Sequence, residues 1–366
     1  MKIKAVIAPG NGDEFLYSDV EINDPRADEI LVKIEAVGLC HTDVLAQHGV
    51  FQFGSAAVLG HEGAGIVEHI GSDITKVKVG DRVCLSFRSC GTCRKCKSKQ
   101  PASCQDFAPL NISGGRIDGS KALRHNGQDI ASNFFGQSSF ATHALTYEQN
   151  VVKISDDIPF EIAAPLGCGV QTGAGAIMNS LDCEASASLV VAGCGVVGLS
   201  AVMAGKIRGC SAIVAIEPVA ARRELALELG ATHVIDPLAE SEIPEQLKDI
   251  FPLGANYALD TSARADVLQA LLGNLAVKGE LGLVGMINPD ADFNCSGAAL
   301  MAKGLSVHAI IEGDSHPDSF IPELIAHFKA GRLPLDRLIT TYPLKDINTA
   351  IKDHNKGTCT KVVLIP

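Results

Sequence analysis

Strand-like and helix-like patterns alternate from about Leu181 onward, and this alternation restricts the possible folds more than any other feature of the sequence. The apolar run SLVVAG precedes the helical segment VVGLSAVMAGKIRG, and AIVAIE precedes ARRELALELG in the same way. The runs THVID, YALDTS and GELGLVG continue the series. Repeated strand–helix units predict a parallel, doubly wound sheet with helices packed on its faces.

Residues 1 to about 150 have a different pattern, with short β-like runs bounded by Gly, Asp and Pro. Examples are KIKAVIAP, EILVKIEAVGLC and DRVCLSF, and helical periodicity is scarce among them. This pattern predicts a mostly antiparallel, barrel-like β domain. After about residue 305 a helix (SFIPELIAHFKAG) and a closing strand (KVVLIP) follow, and we expect this tail to return to the first domain. A chain of 366 residues accommodates two domains of about 150 residues each.

Charge and missing motifs argue against several classes of function. The formal net charge is −11, and outside one cysteine-rich stretch no run of Lys or Arg exceeds a couple of residues. Nucleic acids and anionic membranes are therefore not expected partners. The sequence contains no serine nucleophile elbow, no GxxxxGKS/T loop and no HExxH motif. Hydrolase and nucleoside-triphosphatase functions lose their main support.

One stretch has the length of a membrane span. Ala185 to Gly205 contains 21 residues without a charge, and a spanning helix needs about 20 apolar residues. Four glycines and three serines interrupt it, however, and the glycine spacing has a better explanation below. The N-terminal segment MKIKAVIAPG has charges within its first apolar run and no small-residue cleavage site, so it predicts a strand and not a signal peptide. We expect a cytoplasmic protein.

Four of the 12 cysteines lie close together, at Cys90, Cys93, Cys96 and Cys104. Thiolates two residues apart on tight turns can reach one ion, and zinc accepts four sulfurs tetrahedrally. Disulfides are not expected in so large a chain without a secretion signal. The spacing predicts a structural zinc site, since four thiolates leave no open coordination position. An iron–sulfur cluster, which also takes four cysteines, and unligated thiols are the alternatives.

Three further segments place Cys, His and acidic residues beside glycines, namely GLCHTD at 38–43, GHEGAG at 60–65 and PLGCG at 165–169. Taken alone, each segment is a weak signal, because a single histidine is more often a structural residue. Together, two thiolates and one imidazole match a zinc site with three protein ligands, which keeps its fourth position open for catalysis.

A glycine-rich loop, Gly193-Cys194-Gly195-Val196-Val197-Gly198, follows the strand SLVVA and opens a helix. In this context the glycines permit a tight turn and the close approach of a pyrophosphate, whose charge meets the helix N-terminus. Glu217 ends the next strand, 19 residues after Gly198, where an acid would bind the adenosine ribose hydroxyls. The alternative is a glycine-rich crossover inside the core.

In order and approximate spacing, these motifs resemble the zinc-dependent medium-chain alcohol dehydrogenases, essentially from end to end. The segments GLCHTD, FFGQSSFATHAL and PLGCGVQTGAGA are most similar to aryl-alcohol (benzyl alcohol) dehydrogenases, and the group that oxidises geraniol-like terpene alcohols is almost as close. The resemblance implies an α/β protein with three segments. These are a GroES-like, β-rich catalytic domain at 1–169, a Rossmann NAD-binding domain at 170–308, and a return segment at 309–366 that completes the catalytic domain.

The resemblance also implies roles for residues that match the family's motifs. It implies two zinc ions per chain, a catalytic one held by Cys40, His61 and Cys168, and a structural one held by Cys90, Cys93, Cys96 and Cys104. Glu62 matches the acid behind the catalytic zinc, Asp43 the residue that orients the ligand histidine, and Thr42 the hydroxyl that takes the alcohol proton.

Coenzyme contacts follow from the same resemblance, and they fall on His41, Thr172, Gly193, Gly195, Val197, Gly198, Glu217, Arg222 and Lys361. At His41 and Lys361 the family often has Arg. Glu217 stands in place of the commoner Asp, which favours NAD over NADP, while the adjacent Arg222 and Arg223 leave some use of NADP open.

Family positions that line the alcohol pocket carry Leu45, Phe87, Phe134, Phe135 and Met286 here. Leu45 replaces a histidine that often relays the proton. If these side chains line the site, the apolar set predicts oxidation of benzyl-type primary alcohols to aldehydes; the alternative is that the phenylalanines belong to the core. The alternatives are an allylic, geraniol-type substrate, a glutathione-linked formaldehyde dehydrogenase, or a non-enzymatic zinc-stabilised dinucleotide sensor. We expect a homodimer or homotetramer whose other partners are the small alcohol and aldehyde.

Overall fold

The computed structural model describes residues 1–10, 12–285 and 295–366, and the chain divides into two compact units. The first unit comprises residues 1–168, 316–326 and 335–366, and the second comprises 169–315 and 327–334. These bounds differ from the implied ones mainly at 309–315 and 327–334. Residues 313 and 314 belong with the second unit because Asn179 donates a hydrogen bond to the Gly313 carbonyl (3.2 Å) and Ser180 donates one to Asp314 (2.7 Å).

The strands, in chain order, are β1 (Lys2–Ala8), β2 (Leu16–Ile22), β3 (Ile30–Gly38), β4 (Ala57–Val58), β5 (Gly63–Ile70), β6 (Arg82–Leu85), β7 (Leu123–His125), β8 (Gln128–Ile130), β9 (His143–Thr146), β10 (Val151–Lys153), β11 (Ser188–Ala192), β12 (Ala212–Ile216), β13 (His233–Ile235), β14 (Ala255–Asp260), β15 (Leu275–Leu283), β16 (Ser306–Ala309), β17 (Ile339–Pro343) and β18 (Lys361–Ile365).

The α-helices are α1 (His41–Gln47), α2 (Arg94–Lys97), α3 (Phe107–Asn111), α4 (Phe160–Ala163), α5 (Gly169–Gly175), α6 (Val196–Arg208), α7 (Ala220–Leu229), α8 (Ile243–Ile250), α9 (Ala265–Gly273), α10 (Gly297–Lys303), α11 (Pro317–Lys329) and α12 (Ile347–Asn355).

Two sheets form the first unit. One has the order β4-β1-β2-β7-β8, and the other has the order β10-β6-β5-β3-β18-β17 with β9 also paired to β3. Pairing is antiparallel throughout the first sheet and around β3 and β5. The side chains of β1 alternate as is common in antiparallel sheets: Lys2 and Lys4 are exposed, while Ile3 and Ala5 are buried. This alternation is expected of a strand with one face on the core. The expectation of a β-rich, GroES-like domain is confirmed.

Within its described residues, the second unit contains one parallel sheet with the order β13-β12-β11-β14-β15-β16. Numbered from β11, this is the order 3-2-1-4-5-6 of a doubly wound dinucleotide-binding fold. Strand β11 (SLVVA) is buried almost throughout, because helices cover both faces of such a sheet. The predicted Rossmann fold is confirmed.

The uncharged stretch Ala185–Gly205 is divided among β11, the glycine-rich loop and the 13-residue helix α6. In the described parts of the chain, the helices all fall short of the length and apolar character that crossing a membrane requires.

Candidate active site

Cys40, His61 and Cys168, here called the interior set, come together inside the first unit. Cys40 follows β3, His61 lies in the turn before β5, and Cys168 follows a short helical turn. Because β3 and β5 are paired, with Val37 opposite Gly63, the ends that carry Cys40 and His61 are adjacent. The ligand atoms of the interior set and one carboxylate oxygen of Glu62 all lie within 4.8 Å of one another.

Asp43 ties two members of the interior set together. Its Oδ1 lies 3.0 Å from Nδ1 of His61, and both side chains are fully buried. The same carboxylate accepts a hydrogen bond from the backbone N–H of Cys40 at Oδ2 and one from that of Gly60 at Oδ1, each with an N···O distance of 3.0 Å. Asp43 therefore orients the imidazole through Nδ1 and leaves Nε2 directed toward the thiols, as the outer carboxylate of a metal-binding histidine does.

The donor chemistry of the interior set fits zinc. Nε2 of His61 is buried, and among the described residues it has no hydrogen-bond acceptor. A hydrogen bond from the Cys168 thiol, reinforced by the His61 charge, holds the pKa of Cys40 well below its ordinary value although burial opposes this. A thiolate is the form of cysteine that binds metal. Two sulfurs and an orphaned imidazole nitrogen at this spacing are suited to a zinc site with three protein ligands.

Lys361, for which the resemblance implies a coenzyme contact, lies beside Glu62 in the structure. Its side chain is 2% exposed, and its ammonium lies 2.5 Å from Oε2 of Glu62 and donates to the Leu39 carbonyl at 2.8 Å. This pairing has a simple physical reason, because Glu62 is fully buried and its charge needs a neighbouring cation. Lys361 thus faces the carboxylate next to the interior set.

Helix α1 carries the other candidates from GLCHTD. Oγ1 of Thr42 is 3.7 Å from the sulfur of Cys40, which places the hydroxyl beside the interior set. His41, the first residue of α1, is exposed, and Leu45 is half-buried one turn later.

Aromatic rings surround the imidazole of His61. The ring of Phe135 stacks on it with centroids 4.5 Å apart and planes 26° apart, and the ring of Phe134 meets it edge-on at 5.5 Å. Phe134 is only 1% exposed and packs on Phe51 and Phe53, so it supports His61 from the core. Phe87 is equally buried, and the predicted pocket residue Met286 lies outside the described residues.

Cys90, Cys93, Cys96 and Cys104, here called the four-cysteine lobe, bring their sulfurs within 4.8 Å of one another. The sulfur of Cys96 lies 3.5 Å from that of Cys93 and 3.9 Å from that of Cys90. These values bracket the separation of about 3.8 Å that tetrahedral coordination with Zn–S bonds of about 2.3 Å requires. Hydrogen bonds from backbone N–H groups lower the pKa of Cys93 to about 6, which favours the thiolate. The lobe therefore fits a structural zinc.

The predicted dinucleotide loop lies between β11 and α6 in the second unit. Gly193 has φ of +90°, and a Cβ at Gly198 would collide with the Gly193 carbonyl oxygen. Gly195 is the N-cap of α6, and no described atom stands within 4 Å of where its Cβ would be. Val197 is half-buried in the first turn of α6. The free N–H groups at this helix end suit a pyrophosphate.

Glu217, directly after β12, holds the loop in place. Its Oε2 accepts the backbone N–H of Cys194 at 2.7 Å, and its Oε1 accepts that of Val219 at 3.0 Å. Arg223 donates to the Glu217 carbonyl and pairs with Asp236, so its guanidinium is already engaged. Arg222 is half-buried on α7, and Thr172 is buried on α5.

Gln137 has no motif signature in the sequence, yet it lies buried beside His61 and bonds to the His61 carbonyl. Gln137 lies in the segment FFGQSSF, where an uncharged polar stretch between phenylalanines was the only available signal.

Comparisons with known proteins agree with this geometry. The family model of the alcohol dehydrogenase GroES-like domain matches residues 26–156, and that of the zinc-binding dehydrogenases matches residues 196–330. The geraniol dehydrogenase of Castellaniella defragrans is 43% identical over 355 residues, which cover 97% of this chain and 95% of that protein.

Two solved structures are also very similar. Benzyl alcohol dehydrogenase from Acinetobacter calcoaceticus has a TM-score of 0.96 and 39% identity, over 100% of this chain and 99% of that one. An alcohol dehydrogenase zinc-binding domain protein from Burkholderia ambifaria has a TM-score of 0.97 and 40% identity at the same coverage.

The cofactors follow from the matched family and from the donor atoms described above, and they are zinc and NAD. With both family models matched and relatives similar over nearly the whole length, this chain belongs to the zinc-dependent medium-chain alcohol dehydrogenases.

Proposed function

We propose that this alcohol dehydrogenase oxidises aromatic, benzyl-type primary alcohols reversibly to aldehydes with NAD. The observation that carries the proposal is the aromatic side chain of Phe135, which stacks on His61 at the edge of the interior set. A flat apolar surface beside His61 favours an alcohol with a flat substituent. Packing between aromatic rings adds about 0.5–1.5 kcal/mol beyond the free energy gained by burying apolar surface. The 39% identity to a benzyl alcohol dehydrogenase supports the same substrate class.

Each residue of the site has a defined task in this proposal. Cys40, His61 and Cys168 hold the catalytic zinc, and Asp43 keeps the imidazole in its orientation. When bound, zinc lowers the pKa of an alcohol hydroxyl and polarises an aldehyde carbonyl. Thr42 would take the hydroxyl proton at Oγ1, and NAD held by the second unit would supply the acceptor for the hydride.

Coenzyme binding is assigned to the second unit. The helix end at Gly195 receives the pyrophosphate, and Glu217 accepts the ribose hydroxyls with the lone pairs that its two backbone contacts leave. A carboxylate at this place repels a 2′-phosphate, which favours NAD over NADP.

The proton leaves Thr42 without an imidazole at position 45. Leu45 occupies that place, and its side chain instead adds apolar surface near α1. We expect that Leu45→His weakens binding of aromatic alcohols and changes the low-pH limb of the rate profile.

A geraniol-type allylic alcohol is the second candidate substrate. The 43% identity to a geraniol dehydrogenase favours it, and an allylic double bond is flat like a benzyl ring. Glutathione-linked formaldehyde oxidation is a further alternative, with a much larger and anionic substrate.

A substrate screen tests the proposal. Benzyl alcohol, geraniol, hydroxymethylglutathione and ethanol are compared by kcat/KM, with NADH formation followed by absorbance. We expect the highest value for benzyl alcohol and a much lower one for ethanol. A higher value for geraniol would assign the allylic class, and equal values for ethanol and benzyl alcohol would contradict the aromatic pocket.

Self-association is also part of the proposal. Strand β16 ends the six-stranded sheet, and its residues Ser306, Val307 and Ala309 are exposed. An exposed sheet edge is a surface on which another chain can pair, which supports a homodimer or homotetramer. Light scattering on the purified protein checks this, and a monomeric mass at micromolar concentration would contradict it.

A further inference from the structure

Residues 133–138, here called the 133–138 loop, lie beside His61 and have an unusual backbone. Asn133, Phe135 and Ser138 have φ values of 60°, 51° and 58°. This left-handed region is rarely occupied by residues other than glycine, and least often by bulky ones. Such conformations are unfavourable and persist only where the surrounding structure holds them, which is common at functional sites. The contacts of the loop therefore indicate its role.

The first contact is the stacked ring of Phe135. Asp43 fixes one atom of the imidazole through Nδ1, but a single hydrogen bond leaves the ring free to rotate about that direction. The χ2 torsion of histidine offers little resistance, because its preference is broad. Phe135 lies on the face of the ring and Phe134 against its edge, so together they fix the ring plane and with it the direction of Nε2.

The second contact is the side-chain amide of Gln137, which is 2% exposed. Its Nε2 donates to the carbonyl oxygens of His61 (2.9 Å) and Ser86 (3.1 Å). Its Oε1 accepts the backbone N–H of Gly63 (3.0 Å) and the hydroxyl of Ser139 (2.6 Å). One side chain thus forms hydrogen bonds with the peptide backbone on both sides of Glu62.

The partners leave Gln137 no second orientation. Two of them are carbonyl oxygens, which only accept, and one is a peptide N–H, which only donates. If the amide were flipped, its oxygen would face the two carbonyl oxygens and its NH₂ group would face the N–H of Gly63. The approach also requires glycine at position 63, because a Cβ there would collide with Ser139 Oγ and lie 3.0 Å from Gln137 Oε1.

We propose that Phe135 and Gln137 are positioning residues of the catalytic metal site, Phe135 through the ring plane of His61 and Gln137 through its backbone. The inference rests on the proposed function, since it takes the interior set as the zinc site. Phe135 contacts the imidazole of His61 and Gln137 contacts the His61 carbonyl, so both act through His61. Outer groups of this kind typically change metal affinity or activity by about 10- to 100-fold.

The experiment measures zinc release from the loaded enzyme into excess chromogenic chelator. We expect two phases of one zinc each from the parent protein, and the phase that is missing in Cys40→Ser identifies the catalytic zinc. Gln137→Glu replaces the donating nitrogen by an oxygen that faces two carbonyl groups, and Phe135→Leu removes the stack while keeping an apolar side chain. Both variants should release the catalytic zinc about 10- to 100-fold faster and leave the other phase within about twofold.

Two matched controls separate positioning from general loss of stability. Asn348 is a half-buried amide whose Nδ2 donates to the Phe15 carbonyl oxygen and whose Oδ1 accepts a hydrogen bond from the Phe15 N–H, so Asn348→Asp makes the same chemical change at contacts that involve neither His61 nor Phe135. Phe15 is a buried phenylalanine that packs edge-on against Phe140, so Phe15→Leu matches the loss of a ring. Neither control should change the catalytic phase by more than about twofold.

The outcomes are distinct. Selective acceleration of the catalytic phase in Gln137→Glu and Phe135→Leu supports the inference, and unchanged release in both overturns it while the proposed function stands. Equal acceleration in the controls, or of both phases together, also overturns it, because the effect would then be a general loss of stability. If Gln137→Glu does not fold, Phe135→Leu with its own control decides. A parent protein with a single zinc contradicts the proposed function itself.

Discussion

The four-cysteine lobe and the interior set provide similar donor atoms in opposite ways. The lobe takes its ligands from 15 consecutive residues, and short turns and helix α2 bring them together near the surface. The interior set takes its ligands from three distant segments and buries His61 and Cys168. The lobe is therefore specified by local sequence, whereas the interior set depends on the packing of the whole first unit.

The difference extends to the groups that surround the ligands. Lobe sulfurs accept hydrogen bonds from nearby backbone N–H groups, such as that of Cys93 to Cys90 Sγ (3.3 Å). Around the interior set, the carboxylate of Asp43 and the amide of Gln137 connect His61 to other elements. A closed site with local support suits a structural ion, and a site held from outside keeps a position free for chemistry.

The largest effect is expected from Cys40→Ser. Loss of a ligand atom should reduce kcat/KM by more than about 100-fold, which is the largest effect typical of groups that only support a metal ligand. The thermal midpoint should change little because the lobe is intact. Steady-state kinetics and thermal unfolding measure the two quantities. Cys295→Ser, at an exposed cysteine, is the control, and a fully active Cys40→Ser enzyme would falsify the assignment of the interior set.

Cys93→Ser tests the other half of the comparison. Structural zinc contributes folding free energy directly, so we expect a loss of more than about 4 kcal/mol, the range reached when a metal site is destroyed. Denaturant unfolding of the zinc-loaded protein measures it. A variant as stable as the parent would show that the lobe is not a structural site.

A smaller effect is expected from Glu29→Gln, at a buried ion pair in the first unit. Glu29 accepts two hydrogen bonds from Arg116 and one from Tyr147, whose hydroxyl also accepts from Asn133 of the 133–138 loop. Removing the charge leaves Arg116 buried without its carboxylate, and such changes cost about 3–5 kcal/mol. Chemical unfolding at neutral pH measures the loss, and a cost below about 1 kcal/mol would contradict the importance of this pair.

The same pair predicts a pH dependence. Burial opposes the charge of Glu29, but hydrogen bonds and the charge of Arg116 hold its pKa below the ordinary value. Its stabilising contribution is therefore complete above the unfolded pKa of about 4.3 and is lost as the pH falls through the lower folded pKa. The stability difference between parent and Glu29→Gln should shrink in acid, and a difference that grows there would have the wrong sign.

The smallest effect is expected in the second unit, where no metal ligand is involved. Glu217→Ala should raise KM for NAD about tenfold, equivalent to one hydrogen bond to a charged group, and narrow the preference over NADP. Glu217→Gln, which keeps one acceptor oxygen, should have an intermediate effect. Kinetics with both coenzymes measure it, and an unchanged preference would refute the role of Glu217.

The comparison also explains which features the sequence predicts well. The four-cysteine spacing and the glycine loop are local patterns, so short-range geometry is enough to recognise them, and the alternation of strands and helices predicts the parallel sheet. The interior set required three segments to be read together and a family resemblance to assign ligands.

Other features depend on burial, which the sequence does not reveal. The ion pair of Lys361 with Glu62 is one of them, because a lysine in a closing strand becomes fully buried only after β18 pairs with β3. The coenzyme contact of Lys361 stays a prediction. The packing of Phe134 against the edge of the His61 ring is another, and its place at the substrate stays a prediction. Gln137 has no spacing signature at all, since three of its four partners come from distant parts of the chain and only Ser139 is close in sequence.

The most direct test of the account is the zinc content of the purified enzyme, measured by elemental analysis together with NADH formation from benzyl alcohol. Two independent donor sets predict two zinc ions per chain in the active parent protein. Cys40→Ser should contain one zinc ion and lose activity, and Cys93→Ser should contain one zinc ion and lose stability. One zinc per chain in a fully active parent protein would contradict the account.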